Sequence, residues 1–215
     1  MDYFWVFIVS AFSIVPPAIA AAIRLRSLSG RYFPLLVLLW AGLINEVISY
    51  ALIINHSSNL VNSNIYTLIE FGLLLWLFYR LTNRRTNRFF IAGTAGLIVW
   101  VTDNFFMHPI SQDNMLFRMV SSFFIVFVSM DKISQVLFSG LKEVYKKTDL
   151  LLCFSFFVYY TYKTFIATFS VFPMGLPDEF YKRFWLILSL VNIATNITYL
   201  IAIVWIPKRQ EYILR

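Results

Sequence analysis

Apolar residues in this chain fall into runs of about 20, broken by short polar segments. About 20 helical residues at 1.5 Å each match a hydrocarbon layer of roughly 30 Å, whereas a soluble helical core would show shorter, amphipathic runs. The pattern predicts seven transmembrane α-helices over residues 3–23, 32–54, 60–79, 89–107, 115–138, 150–170 and 184–206, an all-α integral membrane bundle forming one domain over 1–215. Pro16 and Pro17 remove two backbone donors from the first span and predict a kink there. Residues 4–22 also read as a signal peptide, with small residues at 18–22. The usual positive leader is missing, since Asp2 is the only charge ahead of the apolar run, and a retained helix is the expectation.

Charge orients the bundle, because Lys and Arg collect in short cytoplasmic loops. Arg24, Arg26 and Arg31 follow the first span, Arg80, Arg84, Arg85 and Arg88 the third, and Lys208, Arg209 and Arg215 the seventh, while Lys132, Lys142, Lys146 and Lys147 end or follow the fifth. Segments 56–62 and 108–114 carry no Lys or Arg, and in 171–183 Lys182 and Arg183 are offset by Asp178 and Glu179. The expected topology is N-terminus outside and C-terminus cytoplasmic, in a multi-pass protein of the cell membrane whose first partner is the lipid bilayer.

Composition agrees: 60% of residues are hydrophobic and 13% charged, with a mean hydropathy of +0.72, against about a quarter charged in a soluble domain. The net charge of +7 sits at helix ends and follows from topology, so no nucleic-acid partner is expected. Seven helices and their loops take up nearly all 215 residues, which leaves the bundle and its loops to carry the function. The single Cys153 excludes an intramolecular disulfide and a cysteine-built metal site. Tyr3, Trp5, Tyr32, Trp76, Tyr79, Phe105, Phe106, Phe184 and Trp185 stand near span ends as interfacial anchors. Ala92, Gly93 and Gly96 give the fourth span a face that a neighbouring helix can approach closely. Residues 139–149, with Lys142, Glu143, Lys146 and Lys147, suit a short amphipathic helix at the inner surface.

The chemistry lies in polar residues within the spans. Each ionisable group at membrane depth costs roughly 2.5–3.5 kcal/mol on insertion scales, so it turns inward to pair, to line a cavity or to react. Glu46, Glu70, Asp103, Arg118 and Lys163 sit at similar expected depth in the outer half of five spans, and Asp131 lies nearer the inner end. Tyr66 and Thr67 share the face of Glu70, Tyr159 and Tyr160 that of Lys163, Ser49 and Tyr50 that of Glu46, Trp100 that of Asp103, and Ser121 and Ser122 that of Arg118. Ser189, Asn192, Asn196 and Tyr199 form a polar stripe on the last span. The candidate ligand-binding or ion-pathway set is Glu46, Glu70, Asp103, Arg118, Lys163, Tyr66, Tyr159, Asn192 and Asn196, with Lys163 paired to Glu46, Glu70 or Asp103. The plainer reading makes these residues interhelical glue, at about 0.6 kcal/mol per contact.

No metal or cofactor is expected. His56 and His108 are the only histidines, one short of a three-ligand catalytic zinc unless Asp103 joins them. The last span has no lysine for a retinal Schiff base, and no G-x-S-x-G nucleophile motif occurs. Enzyme chemistry is therefore disfavoured. A small-ligand sensor or receptor-like module, signalling through its basic loops to a separate cytoplasmic partner, comes first. A transporter or proton channel built on the intramembrane carboxylates comes second, disfavoured by the lack of an internal repeat. A non-catalytic accessory protein acting by assembly, as a homo-oligomer among other forms, is the third reading.

Overall fold

The computed structural model describes residues 4–26, 30–82, 87–138, 144–172, 175 and 177–206. Among them are the helices α1 (Phe4–Phe12), α2 (Val15–Ile23), α3 (Phe33–Ile54), α4 (Leu60–Leu81), α5 (Arg88–Val101), α6 (Met115–Phe138), α7 (Val144–Val171) and α8 (Asp178–Trp205), and no strand. A 3-10 turn at Gly30–Tyr32 leads into α3, and a π-helical turn at Thr102–Met107 extends α5. Six stretches are long and apolar enough to cross a membrane: Trp5–Ile23, Gly30–Ile54, Leu60–Leu81, Arg88–Met107, Lys146–Val171 and Asp178–Trp205. The 24-residue α6 packs along α7 between them. The described residues are all-helical, with helices long and apolar enough for a membrane protein. The outer surface is apolar in the way lipid requires, with Phe90 and Phe106 each 79% exposed.

Four expectations change in detail. The kink in the first span is a full break at Ser13 and Ile14, because Pro16 and Pro17 deprive the carbonyls of Phe12 and Ser13 of their helical donors. Helix α7 starts at Val144 and α8 at Asp178, each six residues earlier than expected. Charge made those residues read as loop, yet a 28-residue helix is about 42 Å long and carries its charged ends beyond a hydrocarbon layer of roughly 30 Å. The surface helix expected at 139–149 is therefore, over 144–149, the first turns of α7. Residues 139–143 lie outside the described residues, as do Tyr3, Arg84, Arg85, Lys208, Arg209 and Arg215. Tyr32 is no interfacial anchor, being 1% exposed.

The helices pack in a ring: α1 and α2 against α3 and α8, then α3 on α4, α4 on α6, α6 on α7 and α7 on α8. Helix α5 packs on α4 and α6 from outside the ring. Gly96 allows this approach, since a Cβ there would run into the Phe71 ring of α4, and one on Gly93 would lie 3.5 Å from Leu75. The small residues of α5 thus serve close packing, as their spacing predicts.

Candidate binding cavity

One half of the ring is filled and the other is hollow. In the filled half, Leu74, Leu77 and Phe78 of α4 meet Leu152 and Phe156 of α7, Leu35 and Leu39 of α3 and Ile203 of α8, all almost fully buried. The Phe156 ring packs against Phe78 and Tyr199 with centroids 5.7 and 5.6 Å away. This plug continues into a polar network at the basic end of the bundle. There the Arg31 guanidinium pairs with Asp149, the Tyr32 hydroxyl donates to Asp149 Oδ1 at 2.8 Å, and Arg31 and Lys132 donate to the Leu81 carbonyl at 2.9 and 2.7 Å. Arg24 donates to the carbonyls of Val204 and Ile206, and Arg80 to that of Gly30. Cations on the last carbonyls of α4 and α8 satisfy groups that have no helical partner and face the negative ends of the helix dipoles.

The hollow half holds a cavity of about 290 Å³ toward the opposite end. Of the sequence-predicted set, Glu46, Tyr66, Glu70, Arg118, Tyr159, Lys163, Asn192 and Asn196 all line it. Lys163 Nζ of α7 lies 2.6 Å from Glu70 Oε2 of α4, and the Tyr160 hydroxyl donates to Glu70 Oε1 at 2.8 Å. The ammonium also lies over the rings of Tyr159 and Tyr160, 5.6 and 5.1 Å from their centroids. The expected lysine–carboxylate pair therefore exists, with Glu70 as partner. It bridges two helices that α6 separates along the ring.

Arg118 of α6 donates to Ser63 Oγ and Asn64 Oδ1 at 2.9 and 3.1 Å, with Asp113 at 3.7 Å. Among the described residues no ion pair reaches Glu46. Asn192 and Asn196 spend their amide donors on α1 and the break after it: Asn192 on the Ser10 carbonyl and hydroxyl at 3.1 Å, Asn196 on Ser13 Oγ at 2.7 Å. The two asparagines of the α8 stripe thus hold the broken first span in the ring, while Tyr199 of the same stripe packs against Phe156 of α7. Ser49 accepts from Asn62, whereas Tyr50 is exposed and packs edge-on against Phe12.

Asp103 does not reach the cavity. Fully buried on the π turn that ends α5, its Oδ2 accepts the backbone N–H of Phe117 at 2.8 Å, and Oδ1 lies 3.3 Å from His108 Nδ1. A carboxylate there caps the first turn of α6, where free N–H groups and the positive dipole end favour an anion. Because α5 lies outside the ring, equal depth did not mean a shared site. Asp131 pairs with Arg88 at 3.1 Å on the exposed surface. Sequence reasoning overlooked Asn64, which donates to the carbonyls of Ile110 and Gln112 at 2.9 and 2.7 Å, accepts from Arg118, and receives Trp100 Nε1 on its own carbonyl at 2.9 Å. An asparagine two residues past another, just inside a span, was the available signal. No family model, curated protein or solved structure matches this chain.

Proposed function

We propose that the chain is a seven-span protein of the cell membrane, N-terminus outside, that binds a small polar ligand in an outward-facing cavity and signals to a separate cytoplasmic partner. The observation that carries the reading is the polar cavity closed on its basic side by the apolar plug around Phe78 and Phe156. The basic loops assign that side to the cytoplasm, so the ligand enters from outside and meets the plug below the cavity. Helices α4 and α7 are joined in the cavity by Glu70 and Lys163 and at the basic end through Leu81, Arg31 and Asp149. A ligand that shifts the first contact loads the second, and the cytoplasmic partner reads the change there.

Flux separates this reading from transport. Full-length protein in liposomes loaded with a pH-sensitive dye is expected to pass protons no faster than empty liposomes. A pH-driven flux that Glu70→Gln abolishes would replace the sensor with a proton-coupled transporter.

A further inference from the structure

The cavity wall carries two charged groups with bonding capacity to spare, of opposite sign and at one depth. Asn62 of α4 donates to Asn45 Oδ1 at 2.9 Å and Ser49 Oγ at 3.1 Å of α3, which sets the Glu46 turn level with residue 62. The next two residues of α4, Ser63 and Asn64, hold Arg118 on the opposite flank. Residues 62–64 thus place Glu46 and Arg118 at the same height, on either side of α4. Glu70 is seven residues further on, about 10 Å deeper, where Lys163 already neutralises it.

Glu46 faces the cavity with no cation on it among the described residues, and a carboxylate there gains most from an ammonium donor. Arg118 gives one nitrogen to two neutral side chains and, at the long distance of 3.7 Å, to the half-exposed Asp113, while its buried Nε has no partner; a guanidinium with a free donor is shaped for a carboxylate. Tyr66 and Tyr159 line the same cavity, and an aromatic wall suits the apolar stem of a ligand. The cavity, of about 290 Å³, has room for a molecule of amino-acid size.

Resting on the ligand-binding reading above, we infer that the ligand is a small zwitterion, its ammonium held by Glu46 and its carboxylate by Arg118. The full-length protein in nanodiscs is titrated calorimetrically with straight-chain ω-amino acids of two to six carbons, each beside the amine and the acid of equal length. At least one amino acid is expected to bind ten times more tightly than both of its single-charge counterparts. Glu46→Gln and Arg118→Gln should each lower that affinity at least tenfold, and Glu46→Asp and Arg118→Lys should recover part of it, with unfolding temperatures showing that all four variants fold. If an amine or an acid alone binds as tightly as the amino acid, the zwitterion is overturned while the ligand cavity stands. If no probe binds, both the zwitterion and a cavity for ligands of this size are overturned.

Discussion

Arg31–Asp149 and Lys163–Glu70 are the same kind of contact in opposite surroundings. At the basic end, Asp149 has a side chain 2% exposed, takes the Tyr32 hydroxyl as well as the guanidinium, and sits where Arg31 and Lys132 both close on the Leu81 carbonyl. In the cavity, Glu70 is similarly bonded, to Lys163 and Tyr160, but the ammonium borders open volume and two aromatic faces. One pair has its carboxylate enclosed by packed neighbours while Arg31 keeps a side chain 22% exposed, and the other is a contact that something entering the cavity can rearrange. Burial of the neighbours, more than the pair itself, distinguishes a structural charge from a functional one.

Substitution separates the two most sharply at Asp149. Asp149→Ala strands Arg31 and the Tyr32 hydroxyl against a packed wall and should cost about 3–5 kcal/mol, as breaking a buried pair does, seen as a large fall in the unfolding temperature in detergent. Glu70→Ala should cost less, about 1–3 kcal/mol, because water in the cavity can serve Lys163, and Glu70→Gln, which keeps an acceptor for Tyr160, less again. Equal losses at Asp149 and Glu70 in the same melts would contradict the difference between the ends. The exposed pair of Arg88 and Asp131, each side chain 45% or more accessible, sets the lower bound: Arg88→Ala should change stability by about 0–1 kcal/mol, less in salt.

The long apolar helices, the inward turn of Glu70, Asp103 and Lys163 and the pairing of Lys163 were legible in the sequence because hydropathy and the cost of a bare charge in lipid both act along one helix at a time. Position around the ring was not. Asp103 and Glu70 were indistinguishable by depth, and only the placement of α5 outside the ring, permitted by Gly96, sends one to cap α6 and the other into the cavity. Asp149 escaped notice for a related reason. Its charge made it look like loop, although burial beside Tyr32 and Arg31 makes it the centre of the closed end. Asn192 and Asn196 were rightly turned inward, but which helix consumes their donors depended on the break at Ser13 and Ile14.

The central claim is a cavity open to the outside above a sealed cytoplasmic end, and cysteine accessibility in intact cells tests it most directly. Cys153 is buried and is removed as Cys153→Ala; Ser63→Cys then reports the cavity and Thr82→Cys the basic end. A membrane-impermeant maleimide added outside should label Ser63→Cys and leave Thr82→Cys untouched until the membrane is permeabilised. Labelling of Thr82→Cys from outside, with Ser63→Cys protected until permeabilisation, would contradict the account.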